Sequence, residues 1–175
     1  CYKETLQEQV ERALKGGATC IQLREKTLDD DAFLKEALVL KELCRAYQVP
    51  LIVNDNVNVA IKCGADGIHV GQHDMDAKDI RALVGRKMIV GVSAQNVEQA
   101  VLAEQGGADY LGVGAVFATA TKLDADAVSH ATLKAICGAV ALPTVAIGGI
   151  TRGNLLELAG SGVGGVALVS AIFGS

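Results

Sequence analysis

Two cations and an amide lie on one side of a short apolar run. In 19-TCIQLREK, alternation across a strand puts Ile21 and Leu23 on one face and Cys20, Gln22 and Arg24 on the other; Lys26 follows at the same parity in the loop. Other apolar runs also end in polar residues. The run 51-LIVND ends in Asn54 and Asp55, 67-GIHVG leads into Gln72, His73 and Asp74, and 88-MIVGVS ends at Ser93. The run 110-YLGVGAV leads to 117-FATATK, with Thr119, Thr121 and Lys122; 143-PTVAIGG ends at Gly148 and Gly149, and 165-GVALVS ends at Ser170. Asp55 and Asp74 come from neighbouring strands; each alone reads as a helix cap or turn former, but two carboxylates reaching one point with open positions for water would suit Mg²⁺. Beside Arg24, Lys26 and Lys122, such a pair favours a pyrophosphate group bridged to the metal. Glycines at 148 and 149 would let backbone N–H groups approach phosphate oxygens closely.

The remaining polar candidates read as scaffold. His69 lies mid-strand among apolar neighbours and reads as a packed imidazole. His73 borders Asp74 and reads equally as ligand contact or loop, and His130 reads as part of a polar turn before a helix. The 29-DDD run reads as a helix cap with acidic first-turn residues, favourable to the helix dipole.

Those strand ends need elements to hold them. Between the seven apolar runs lie helical patterns with apolar residues three and four apart, such as residues 32–47. Strand–helix alternation predicts parallel strands joined by crossover helices. An internal echo marks the helix-to-strand passages: 16-GGATCIQL, 64-GADGIHVG, 106-GGADYLGVG and 162-GVGGVALV. Glycine there closes each helix in a left-handed conformation, and the phrase returns about every second βα unit, as a barrel of repeating pairs would give.

The expected architecture is a single domain over residues 1–175, a parallel (β/α)8 TIM barrel. Seven strands and seven helices are visible, opening with a helix at 6–14 and stopping just after a strand. A leading strand and a trailing helix are therefore expected to be absent from this chain. With the first strand missing, the pairs after 143-PTVAIGG and 165-GVALVS would follow strands seven and eight, the usual phosphate position in such barrels.

Composition narrows the function. Half of the 175 residues are hydrophobic, yet the chain has three Phe, three Tyr and no Trp, so the core must be aliphatic. A net charge of −4 offers no general attraction for nucleic acid or anionic membrane, so an anionic small molecule would be held by a few local cations. Five cysteines (Cys1, Cys20, Cys44, Cys63 and Cys137) show no CxxC spacing and read as buried thiols of a reducing compartment. No signal, transit or membrane-length segment is seen, so a cytoplasmic location is expected.

The phrases 22-QLREK, 54-ND, 64-GADGIHVGQHDM, 91-GVSA, 106-GGADYLGVGAVFATATK, 145-VAIGGI and 166-VALVSAIF appear in order along nearly the whole chain. In these the sequence resembles the thiamine phosphate synthase family. The resemblance implies a Mg²⁺-dependent transferase joining a hydroxymethylpyrimidine pyrophosphate to a thiazole phosphate, with thiamine phosphate and pyrophosphate as products. It implies that Gln22, Leu23, Arg24, Glu25 and Lys26 hold the pyrimidine substrate, with Arg24 and Lys26 near its pyrophosphate. Asn54 would contact the same substrate, Ser93 would lie beside the reacting pyrimidine, and Lys122 would reach the leaving pyrophosphate. Asp55 and Asp74 would be the metal ligands. Thr119, Ala120, Thr121, Gly148, Val169 and Ser170 would hold the thiazole phosphate. Arg24, Lys26, Ser93 and Lys122 are the implied catalytic residues. The partners implied are phosphorylated small molecules, and a homo-oligomer is compatible with the sequence.

Two departures stand out. Ala118 and Ala120 replace the prolines usual in the thiazole loop, and Ser129 stands where a glycine is usual. Two rival readings share the barrel: a thiazole tautomerase-like relative, and a non-catalytic phosphate-binding barrel. The first needs no full pyrophosphate-and-metal set, whereas QLREK, Asp55, Asp74 and Lys122 are all present here.

Overall fold

Four of the helices that follow a strand start where a short polar side chain caps them. The computed structural model, which describes residues 4–71, 77–118 and 127–173, shows this at α2 (Asp30–Ala46), where Asp29 accepts from the Ala32 N–H. Asn56 caps α3 (Val57–Cys63), Asn96 caps α5 (Val97–Gln105), and Ser129 caps α6 (His130–Ala139). The remaining helices are α1 (Leu6–Lys15), α4 (Ala77–Val84) and the one-turn α7 (Ser170–Phe173). The seven strands are β1 (Ile21–Leu23), β2 (Leu51–Asn54), β3 (Gly67–Val70), β4 (Ile89–Ala94), β5 (Tyr110–Val113), β6 (Thr144–Ile147) and β7 (Gly165–Ala167). A single 3-10 turn, Leu155–Leu158, stands between β6 and β7 where a helix was expected.

The chain divides into two compact units. In the first, Cys1–His69 with Leu83–Ile89, β1 pairs with β2 and β2 with β3, all parallel. In the second, Val70–Ala82 with Val90–Ser175, β4 pairs with β5, β5 with β6 and β6 with β7, again all parallel. The core is aliphatic as composition requires: Leu40, Leu51, Ile52 and Ile68 are buried in the first unit, and Val90, Leu111, Leu133 and Ile136 in the second. Among the described Phe and Tyr side chains, Phe33 is the buried one.

The recurring glycine phrase precedes β1, β3, β5 and β7, every second strand, as its spacing implied. Gly64 and Gly162 are left-handed, but in the two GG phrases the first glycine is right-handed and the second, Gly17 or Gly107, takes the positive φ. The Asp of the GAD phrase has a further task. Asp66 donates its N–H to Leu51 O at 2.9 Å and accepts the Leu51 N–H on Oδ2 at 2.8 Å. Its carboxylate thus adds one rung to the β2/β3 ladder before the Ile52–Gly67 pair, and the Lys41 ammonium completes it at 2.6 Å. Asp109 repeats the arrangement on Val90, with Arg81 as its cation.

Three local expectations are corrected. His130 is the first residue of α6 rather than part of a preceding turn, because Ser129 caps the helix one residue earlier. The strand 165-GVALVS stops at Ala167, and Ser170 opens α7. Cys44 and Cys63 are buried thiols, but Cys20, directly before β1, is exposed and Cys137 is half-buried.

Candidate functional site

In the first unit, register decides which side chains meet. Leu23 lies opposite Val53 in the β1/β2 ladder, so Arg24 and Asn54 occupy the next step. Asn54 in turn pairs with His69 of β3. Ile21 and Leu23 are buried while Gln22 and Arg24 are exposed, the alternation that parity predicted. Asn54 is buried at the strand end and Asp55 is exposed just beyond it. Asp55 has φ 64°, a left-handed conformation uncommon outside glycine but tolerated by Asp. Its N–H reaches His69 O at 2.8 Å, while the Asn56 N–H turns back to Asn54 O at 2.8 Å. The Asn56 side chain then fixes the turn. Its Oδ1 accepts the Val59 N–H at 2.9 Å and its Nδ2 donates to Asp30 at 2.8 Å. His69 is buried, as its apolar surroundings implied.

The loop after β1 is folded about one carboxylate oxygen. Oε1 of Glu25 accepts the Lys26 N–H at 2.6 Å, the Thr27 N–H at 2.6 Å, the Thr27 hydroxyl at 2.8 Å and the Leu28 N–H at 3.3 Å. Hydrogen bonds led by those from Thr27 hold the Glu25 carboxyl down to about 2.

In the second unit, Ser93 lies within β4 opposite Gly112 and is half-buried. The strand ends of β5 and β6 meet backbone to backbone: Val116 N–H bonds Ile147 O at 3.0 Å and Phe117 N–H bonds Gly148 O at 3.1 Å. Both Gly148 (φ 101°) and Gly149 (φ 63°) take positive φ, and a Cβ on Gly149 would lie 2.4 Å from Ala118 O. No side chain fits there. Asn154 braces the turn, donating to Gly149 O at 2.9 Å and accepting the Thr151 N–H at 2.8 Å. Val169 and Ser170 are exposed beyond β7.

Asp74, Thr119, Ala120, Thr121 and Lys122 lie outside the described residues, as does His73. Among the described residues no cluster of three or more His, Cys, Asp or Glu is placed to hold a metal ion. Asp55 does fit a hard cation as one ligand: it presents a carboxylate, is exposed, and is set by its backbone turn just past a strand end. Mg²⁺ commonly takes one or two carboxylates and completes its shell with water and substrate phosphate.

A family model described as thiamine monophosphate synthase matches residues 1–172. The chain belongs to the thiamine monophosphate synthase family. It is 49% identical over 169 residues to the thiamine-phosphate synthase of Ruminiclostridium cellulolyticum, a match covering 97% of this chain and 80% of that protein. The thiamine-phosphate synthase of Methanobrevibacter smithii is 48% identical, with 93% of this chain and 78% of that protein covered. Among solved structures, thiamine phosphate pyrophosphorylase from Pyrococcus furiosus superposes with a TM-score of 0.92 at 38% identity, covering 98% of this chain and 83% of that one.

Sequence reasoning missed Asn56, Thr27 and Asn154, each of which fixes a loop that carries candidate residues. Asn56 had a legible signal, a capping residue directly before a helical pattern. Thr27 and Asn154 had none, since each acts through a turn whose path the sequence pattern does not specify.

Proposed function

We propose that this chain works as a thiamine-phosphate synthase by joining 4-amino-2-methyl-5-hydroxymethylpyrimidine pyrophosphate to 4-methyl-5-(2-hydroxyethyl)thiazole phosphate, with Mg²⁺ as cofactor. The observation that carries the reading is the β1/β2 register, which sets cationic Arg24 beside Asn54 and the exposed Asp55 carboxylate at one strand end. Family membership supplies the reaction type, a transfer of the pyrimidinylmethyl group.

In this reading Gln22, Leu23, Arg24 and Lys26, with Asn54 and Ser93, hold the pyrimidine substrate. Asp55 and Asp74 would hold Mg²⁺, which when bound would neutralise charge on the pyrophosphate. Arg24, Lys26 and Lys122 stabilise the negative charge that grows as pyrophosphate departs. The C–O bond to the pyrophosphate breaks, leaving a pyrimidine-methyl cation. The lone pair of the thiazole nitrogen then forms the new C–N bond. The nucleophile carries no proton to lose, so no general base is required. Thr119, Ala120 and Thr121, with Gly148, Val169 and Ser170, anchor the thiazole phosphate, and two anchored tails align the reacting atoms. Gly148 and Gly149 admit no side chain, and in this reading their backbone N–H groups would meet phosphate oxygens.

The wider setting proposed is a single, near-complete (β/α)8-type barrel domain over residues 1–175, lacking the first strand and last helix and supported by the alternation of seven strands with helices, acting in the cytoplasm and compatible with a homo-oligomer. No described helix is long and apolar enough to cross a membrane. Mg²⁺-dependent release of pyrophosphate, assayed with both substrates, tests the function. Isomerisation of a thiazole phosphate without pyrophosphate release would instead mark a tautomerase, and binding without turnover a non-catalytic barrel.

A further inference from the structure

We infer that Glu25 is a positioning residue for the pyrophosphate-binding cations: its carboxylate organises the Arg24–Leu28 loop and leaves substrate contact to Arg24 and Lys26. The inference rests on the reading of that segment as the pyrophosphate site and deepens it.

Glu25 lies between two cations in the sequence and would, as a free carboxylate, repel the same anion they attract. Four donors converge instead on its Oε1: the N–H groups of Lys26, Thr27 and Leu28 and the Thr27 hydroxyl. Three successive N–H groups aimed at one oxygen form an anion-binding concavity, and here the chain fills it with its own side chain. The carboxylate charge is spent within the loop. The path of the backbone is fixed from β1 to the Asp29 cap of α2, which accepts the Ala32 N–H at 2.8 Å.

A loop bearing both Arg24 and Lys26 would otherwise have to be ordered at the moment of binding. Ordering it during folding moves that cost out of the binding step, which is preorganisation. Lys26 is the more dependent of the two, since its own N–H is one of the four donors.

The test measures inhibition by inorganic pyrophosphate, KM for each substrate, and the thermal midpoint. Glu25→Ala is expected to raise the pyrophosphate Ki and the KM of the pyrimidine pyrophosphate about tenfold, with the KM of the thiazole phosphate nearly unchanged. Glu25→Gln keeps an acceptor oxygen at the same reach and is expected to recover most of the loss. Thr27→Ser is expected to match the parent, and Thr27→Val to show a smaller version of the alanine defect. A Glu25→Ala variant with an unchanged Ki, beside an Arg24→Ala variant with a raised one, overturns this inference alone. So does a Glu25→Gln variant as impaired as the alanine, which would make the carboxylate a direct substrate contact. Parallel loss of both KM values with a large fall in midpoint also overturns it, as general unfolding. An unchanged Ki in Arg24→Ala overturns the reading of the segment, and the inference with it.

Discussion

Replacing Asp66 by alanine removes two interactions from one oxygen, and the cost can be worked from the structure. Oδ2 accepts the Leu51 N–H at 2.8 Å and pairs with Lys41 Nζ at 2.6 Å. Leu51 is fully buried, so its N–H would be left without its acceptor, a penalty of roughly 1–3 kcal/mol. The ion pair adds about 1 kcal/mol or less, because the Asp66 side chain is 38% exposed and screened. A total loss of about 1–4 kcal/mol corresponds to a fall in the thermal midpoint of roughly 2–16 °C in a chain this long. Asp66→Asn retains an acceptor and should lose less than half as much. Circular dichroism melts of the parent and both variants at pH 7 make the comparison.

The pH dependence provides a second arm. Burial opposes ionisation of Asp66, but the bonds from Lys41 and the Leu51 N–H outweigh it and hold the carboxyl below its ordinary value. A depressed carboxyl stabilises the fold above its unfolded pKa, about 3.9, and the contribution disappears as pH falls through the folded value. The gap between parent and Asp66→Ala should therefore be full at pH 7 and narrow below about pH 4. A variant melting within about a degree of the parent at pH 7 would refute the claim that this carboxylate completes the β2/β3 ladder. The matching change Asp109→Ala, at the β4/β5 ladder, should be destabilising by the same mechanism.

Three further outcomes follow from other residues. Burial first, and then the charge of Glu25, raises the carboxyl of Glu36, whose buried Oε2 has no hydrogen-bond partner among the described residues. Glu36→Gln should therefore raise the thermal midpoint at pH 7, and the advantage should shrink on acidification as the parent's Glu36 becomes protonated in the folded state first. Asp55→Asn and Asp55→Ala should both abolish most Mg²⁺-dependent pyrophosphate release, but only alanine should also cost about 1 kcal/mol in a urea titration, since it tolerates the left-handed backbone less well. Gly91→Ala would place a Cβ 2.2 Å from the Tyr110 ring. Overpacking should destabilise it by about 1–3 kcal/mol in the same titration, and a second change, Tyr110→Leu, should recover part of the loss.

All seven strands were legible, because a parallel strand covered by helices reads as a short aliphatic run, and such runs alternate here with helical periods. The polar face of β1 was legible for the same local reason: side-chain alternation is fixed by strand geometry. Helix caps at Asp29 and Ser129 are also local, although only Asp29 was read as one. The helix expected between β6 and β7 failed because 153-GNLLELAG combines four apolar residues with glycine at both ends, leaving room for one turn only. The GAD phrase was read as helix closure alone. Its Asp was overlooked because its partners lie far along the chain, 15 residues back at Leu51 and 25 at Lys41.

The sequence alone determined element type, order, the polar face of β1 and family membership, since each depends on periodicity or on residues close together in the chain. Tertiary structure decided what each polar group touches. Residue identity and motif placed Glu25 with the substrate contacts, yet in the fold its carboxylate is turned into its own loop. Asn56 links two helix starts across 26 residues. Hydrogen bonds are short-ranged and directional, so their partners are settled only when strand register and loop path bring particular atoms within about 3 Å.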